Sequence, residues 1–503
     1  MSKISGKTKA GHQKGEEPFS KFLLKKNQKY QLLLFFVFYL VLLGLLTYLY
    51  PYPASISDSG GYVNAALSDR IDTFRPWGYS QFLILVHSFS SSIHFLVSVQ
   101  YFINIVSSLF LIFTIKYLFK PKSGIIYYLY AFFAIFSPLT LYLSNTVLSD
   151  SLFTSLTIIW IASGLWILYD HKALYKYLFY VVHVIALIYL VNVRYTGFIY
   201  LVITILLVFI AFYKKNIYIC LLLSIAPVLF VYNYYKTQKA KVYELTQVDT
   251  FSGFSGWQLA NNALHCVPYV RLDTSDINNI EVKNFTKLVM QYDSSLILKK
   301  EPSAKFMWDT AMPLKKYCFL EIRRKARHYL IEWNYLGQNV YSKFGSYVIK
   351  KYPVPFFQHY LLPNLKSALY PTHDQIVGAF VSKGIPNDLM KNWFEMDDPT
   401  RVYSRSNIFA KSFFLIPISR LIIWILVFGA IITYIIKRKR ISWQPYQKAV
   451  FWLLSAFIAI YLAFSVYAGP FELRYTAPVH LIQVSLIYIM LNSIMINKVE
   501  NGK

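Results

Sequence analysis

Apolar residues in this chain gather in long blocks and do not recur at the spacing of a half-buried helix or strand. Ten blocks, over 31–50, 95–119, 123–140, 151–169, 175–192, 195–213, 217–235, 413–436, 447–467 and 478–496, run to about the length a helix needs to cross roughly 30 Å of hydrocarbon. The pattern predicts an all-α polytopic membrane protein with about ten transmembrane helices.

The polar stretches between the blocks differ in kind. Residues 1–30 are Lys-rich with Gly and Ser, and no short apolar core with a small-residue cleavage site follows them. They are expected to form a disordered basic cytoplasmic tail ahead of an uncleaved first helix. Within 51–94, Trp77–Phe89 is only moderately apolar and carries Tyr79, Gln81 and His87, so it is expected to lie along the interface. Segment 236–412 is too long to be structureless. Trp257–Leu264 and Pro313–Leu336 read as helical, which makes this segment a small, mainly helical external domain. The division is therefore 1–30, a seven-helix module over 31–235 with its first external loop at 51–94, the domain 236–412, and about three further helices in 413–503. No internal repeat or low-complexity tract stands out.

Basic clusters set the orientation. The N-terminal tail, Lys116–Lys122, Lys172–Lys176, Lys214–Lys215, Lys437–Arg440 and Lys498 fall on one side, which the positive-inside rule makes cytoplasmic. The other side receives 51–94, Ser137–Asp150, Asn192–Arg194, 236–412 and Gly469–Ala477. Both termini are expected in the cytoplasm of a multi-pass cell (inner) membrane protein.

Composition agrees with the blocks. The chain is 56% hydrophobic with a mean hydropathy of +0.40, against roughly 45–50% apolar in soluble domains. Its net charge of +27 does not point to nucleic acid, because Lys and Arg punctuate the apolar blocks and form no stripe. Cys220, Cys266 and Cys318 have no metal-site spacing. Cys266 and Cys318 share the external loop, where a disulfide and two free thiols are both open readings. His87, His94, His265, His359 and His373 show no close pair of zinc-site spacing, so no metal ligand is assigned.

Charges near the membrane on the external side are few: Asp58, Arg75, Asp150, Arg194, and Glu472 with Arg474. Ionisable groups at such depth are costly unless paired or hydrated, which makes them candidates for function. Each has a plainer reading. Asp150 after Ser149 suits a helix N-terminus. The arginines suit interface anchors that snorkel to water. Asp58 beside Gly60 and Gly61 suits a turn. Their shared placement, at external ends of different helices, favours one site.

These stretches resemble the GT-C membrane glycosyltransferases, nearest to the protein O-mannosyltransferase and lipid A aminoarabinose transferase branch. The matching pieces are Asp58-Ser59-x-x-Tyr62, Arg75-Pro76-Trp77-Gly78-Tyr79, Leu148-Ser149-Asp150-x-x-Phe153, Arg194-Tyr195-Thr196-Gly197 and Arg474-Tyr475-x-x-Pro478. The order of elements to about residue 235 carries the likeness. Trp77 departs from the family's frequent Pro, and Arg194-Tyr195-Thr196 from its Arg-Pro. Loop 236–412 matches nothing in the family, although Phe254–Asn262 looks specific to a narrower group.

The resemblance implies inverting transfer of a sugar from a polyprenyl-phosphate donor to a lipid, glycan or protein acceptor at the external face. Asp58 would take the acceptor proton, and Asp150 would orient the acceptor or help hold a cation. Arg194 and Arg474, then Arg75, would bind the donor phosphate through bidentate hydrogen bonds. Tyr62, Tyr79, Glu472 and Tyr475 are assigned to substrate. No cofactor is required, though Mg²⁺ or Mn²⁺ is compatible with the two acids. A surface-polysaccharide polymerase or ligase also fits ten to twelve spans and external arginines, but has less need of an acid directly after the first span. A lipid or glycan transporter or flippase would place its polar groups near the bilayer midplane.

Overall fold

The computed structural model describes residues 17–169, 173–213, 216–293, 295, 302–372, 377, 388–396 and 404–495. The tail before Glu17, Lys172, Lys214, Lys215, His373 and Lys498 lie outside the described residues. Among those described, the fold is all-helical with no strand, and ten helices are long and apolar enough to cross a membrane. In chain order these spans are Lys26–Leu49, Ile93–Phe119, Gly124–Ser144, Ser149–Leu168, Leu174–Val193, Tyr195–Phe212, Ile217–Thr246, Lys411–Lys437, Pro445–Ala468 and Leu473–Ile494.

Local chemistry fixes the ends of several. The side chains of Ser123 and Asn216 accept from the first-turn N–H groups of the third and seventh spans. Pro445 opens the ninth span, where its missing N–H costs nothing. The third span is broken at Phe136 and Ser137 and resumes at Pro138, because proline cannot donate to the turn before it. It thus runs a few residues past the predicted end at 140.

The fourth and tenth spans form the middle of the bundle, each with 78% of its apolar window buried, against 22% and 17% for the first and seventh. Several polar side chains inside the bundle are matched: Trp166 Nε1 donates to Thr114 Oγ1 at 2.8 Å and Trp160 Nε1 to Thr204 Oγ1 at 3.1 Å. Tyr130 stacks on Tyr488 at 4.5 Å and hydrogen-bonds Ser485. Many of the numerous aromatic residues therefore pack between helices. Outward faces carry Leu33, Leu34, Val41, Leu206, Ile210, Leu222, Leu229 and Ile425, all exposed. Such a belt suits lipid, not water.

The seventh helix runs to Thr246, eleven residues beyond the predicted end at 235. Hydropathy marks where hydrocarbon stops, and a helix can continue past it into water carrying Lys236, Lys239 and Lys241. The segment before His94 forms two helices, Ser57–Ser68 and Gly78–His87, and the second, about 15 Å long at 1.5 Å per residue, is too short to cross. Beyond the seventh span, a second apolar core gathers around Trp257, Phe285, Trp333 and Tyr341. Helix Phe254–Leu264 covers the expected 257–264, and the expected 313–336 divides into Pro313–Lys325 and Tyr329–Leu336 at left-handed Ala326. Cys266 and Cys318 are buried free thiols in this core, each pushed up to about 12 by burial.

Candidate functional site

Asp58 lies in the first turn of helix Ser57–Ser68, where free N–H groups and the helix dipole favour a carboxylate. The turn reading of the two glycines gives way to a packing one. A Cβ on Gly61 would sit 2.7 Å from Arg75 Nη1, so its absence lets the guanidinium lie across the helix. Arg75 Nη2 donates to Asp58 Oδ1 at 2.5 Å and Nη1 to Asp72 Oδ2 at 3.1 Å. Asp72 also accepts from the Phe74 N–H at 2.7 Å, which shapes the loop that delivers Arg75.

Asp150 opens the fourth span, yet its carboxylate does not cap the helix. It accepts from Arg194, which sits in the link between the fifth and sixth spans. Two glycine contacts position this corner. A Cβ on Gly197 would meet the Leu190 carbonyl at 2.5 Å, and one on Gly78 the Asn192 carbonyl at 2.5 Å. Arg474, in the turn that begins the tenth span, joins the two halves. Its Nη1 reaches Asp58 at 3.4 Å and Asp150 at 3.9 Å, and its Nε reaches Glu472 at 2.8 Å. Tyr475 lies under both Arg194 and Arg474, at 5.4 and 5.5 Å to its centroid.

The arginines thus turn inward onto acids and do not snorkel. Asp58, Arg75, Asp150, Arg194 and Arg474, spread over more than 400 residues of sequence, form one network at one end of the bundle. Three guanidiniums face four carboxylates (Asp58, Asp72, Asp150 and Glu472). Burial alone would raise the Asp58 carboxyl, but Arg75 and Arg474 outweigh it and hold it below the usual carboxylate range. At Asp72 burial wins over Arg75 and raises the carboxyl.

No protein-family model, no curated protein and no solved structure matches this chain. What the site can do therefore rests on its own geometry.

Access within the network is unequal. The Asp58 side chain keeps 28% of its surface open, Asp150 only 5% and Arg474 7%. Of the aromatic residues assigned to substrate, Tyr62 bonds Ser149 and Tyr475 supports the arginines. Tyr79 is set apart: it is fully buried, its hydroxyl donates to Gln100, and its ring stands edge-on to Tyr62. Glu472 touches Arg474. The two acids weighed as cation ligands share the Arg474 guanidinium, and among the described residues no group of three or more His, Cys, Asp or Glu side chains could hold a metal ion.

Sequence reasoning missed Asp72, although an acid three residues before the Arg75-Pro76 pair was visible. It also missed Arg420, a cation inside an apolar block. Arg420 is buried in the eighth span and donates to His480 Nδ1 at 2.8 Å and Gln483 Oε1 at 2.5 Å.

Proposed function

We propose that the protein is an integral membrane glycosyltransferase that moves a sugar from a polyprenyl-phosphate donor onto a hydroxyl acceptor at the non-cytoplasmic face, with inversion. The observation that carries this reading is the convergence of an accessible carboxylate, Asp58, with arginines from three separate segments at the end of an apolar bundle. A lipid-linked phosphate needs that combination: hydrocarbon for its chain and permanently charged forks for its oxygens. The opposite end of the bundle supports the orientation. There the Lys122 N–H bonds Asn492, and Asn492 bonds the Phe119 carbonyl, so the loop of the Lys116–Lys122 basic cluster is tied to the tenth span.

In this mechanism the acceptor oxygen attacks the anomeric carbon as its proton passes to Asp58. The bond from that carbon to the phosphate oxygen breaks, and the polyprenyl phosphate leaves with the electron pair on Arg194 and Arg474. Arg75 and Arg474 are held by Asp58 before the donor arrives. Phosphate oxygens compete for them, and each guanidinium drawn away makes Asp58 a stronger base. Asp150 serves as the anchor of Arg194 and Arg474. The sugar and the acceptor are left to experiment: purified protein is incubated with a panel of labelled polyprenyl-phosphate sugars, and the glycosylated product is analysed. Transfer from none of them, or equal transfer by Asp58→Asn, sinks the reading.

A further inference from the structure

Both loops that bring arginine to Asp58 are gripped by the helices that follow the seventh span. The first grip is on the 72–75 loop. Asn334 Nδ2 donates to Thr73 Oγ1 at 3.1 Å, Ser252 Oγ to the Thr73 carbonyl at 2.8 Å, and the Phe74 ring lies 4.0 Å from that of Trp333. The second grip is on the turn between the ninth and tenth spans. Asn262 Nδ2 donates to the carbonyls of Tyr467 and Ala468 at 3.0 and 3.2 Å. Asn364 donates to the carbonyls of Val466 and Gly469, each at 2.7 Å, and accepts from the Phe471 N–H at 2.8 Å. Thr73 is two residues from Arg75, and Phe471 three from Arg474. All three asparagines are buried; Asn334 also donates to the Leu330 carbonyl at 2.9 Å and accepts from the Gly253 N–H at 3.1 Å, and Asn262 Oδ1 accepts from Gln258 Nε2 at 3.2 Å.

Asn334 and Asn262 are joined by a contact that tolerates almost no play. A Cβ on Gly256 would lie 1.8 Å from the Gly337 carbonyl oxygen, and one on Gly253 2.8 Å from Asn334 Cα. Trp257 Nε1 donates to the Trp333 carbonyl at 2.9 Å, and the two indoles stack at 5.3 Å. Helix Phe254–Leu264, with Asn262, therefore rides backbone-to-backbone on the segment carrying Asn334. This accounts for the Phe254–Asn262 stretch: Gly256 allows the approach, Trp257 locks it, and Asn262 reaches out from its end.

We propose that the external domain is a caliper: Asn334 sets Arg75, Asn262 and Asn364 set Arg474, and the Gly256–Gly337 contact fixes the gap between them. These are positioning residues, and the inference rests on the proposed transferase site only for its consequence in catalysis. Its geometric content is testable without any donor. Full-length protein in nanodiscs is compared by amide hydrogen exchange at 72–76 and 466–476. Thr73→Val releases the first segment alone, Asn364→Ala the second alone, and Gly256→Ala both together, with the spans unchanged. If Gly256→Ala does not fold, Trp257→Phe takes its place and loosens both. Single-segment loss in the Gly256 or Trp257 variant, or wild-type exchange in all variants, overturns the caliper.

Where the wild type transfers sugar, Asn334→Ala and Asn364→Ala each raise the donor KM about ten-fold, as misplacing a binding group by a fraction of an ångström does. Thr73→Val does the same and Thr73→Ser, which keeps the hydroxyl, restores it. A fall in thermal stability with an unchanged KM reduces these residues to structural support. A wild type inactive with every donor removes the transferase reading and leaves the exchange result standing.

Discussion

In the second apolar core, beyond the seventh span, Lys325 sits among Glu281, Glu321 and Glu332 at 2.9, 3.1 and 3.1 Å, whereas at the end of the bundle Arg474 sits among Glu472, Asp58 and Asp150. Both are cations shared by three acids, but they are assembled differently. Lys325 meets Glu321 one helical turn back and Glu332 seven residues on, and Arg324 and Arg327 reinforce the same acids. Such a cluster is nearly complete within one helical hairpin. Burial would raise Glu281 and Glu321, but their hydrogen bonds to Tyr335, Lys325 and Arg324 hold both below the usual range. Arg474 reaches acids more than 300 residues away, beside an acid left open to solvent. The first arrangement spends its charges on holding a domain together. The second gathers three guanidiniums around a carboxylate, Asp58, that stays partly open.

The sharpest break between the two is Asp58→Asn. The amide keeps the shape and can still meet Arg75, but cannot take a proton, so turnover falls by about 10²–10⁴-fold. The thermal unfolding midpoint falls as well, because Arg75 and Arg474 lose a charged partner, but less than the rate does and less than in a fully buried pair, since Asp58 keeps part of its surface in water. Near-normal transfer by this variant, measured with a donor the wild type uses, removes Asp58 as the base. The mirror test is Glu332→Gln in the domain, where Glu332 is fully buried against Lys325 and Arg327. Removing one member of a buried pair costs about 3–5 kcal/mol. The expected result is a clearly lowered unfolding midpoint with the donor KM unchanged. A raised KM at unchanged stability would make the domain cluster part of the site.

A smaller effect separates geometry from charge. Arg194→Ala and Arg474→Ala weaken donor use, and Arg194→Lys recovers only part of it. Lysine keeps the charge but loses the planar fork, so kcat/KM for the donor stays about ten-fold down. Full recovery by lysine means that a point charge suffices there. Wild-type donor kinetics in both alanine variants mean that the phosphate lies elsewhere.

The bundle was legible because hydrocarbon imposes a length: blocks of about twenty apolar residues read directly as spans, and the described residues hold ten helices of that length and character. The site's charged residues were legible for a related reason, since charge is rare beside hydrocarbon and therefore conspicuous. What lay beyond the sequence was pairing. Nothing local says that Arg75 crosses Gly61 to Asp58, or that Arg474 bridges Asp58 and Asp150. Asn262, Asn334 and Asn364 were illegible too, because a buried asparagine is defined by the backbone it meets, and those backbones are distant in sequence. Tyr79, assigned to substrate from the Arg75-Pro76-Trp77-Gly78-Tyr79 stretch, stands edge-on to Tyr62 with its hydroxyl on Gln100, a pairing the sequence did not announce either.

The finest test uses pH. Asp58 has a folded value held below its ordinary carboxylate value of about 3.9. Its contribution to stability is therefore fully present above that ordinary value and is lost as pH falls through the depressed one. The acid limb of kcat/KM, which reports the free protein, should accordingly lie below about pH 4. Arg75→Gln removes the nearest guanidinium, at 2.5 Å, while leaving Arg474 at 3.4 Å. With one opposite charge gone and burial unchanged, the Asp58 carboxyl rises and the limb moves to higher pH. Glu332→Gln leaves the limb in place, because its cluster belongs to the other region. An acid limb that stays fixed in Arg75→Gln would mean that another group carries the proton, whatever Asp58→Asn does to the rate.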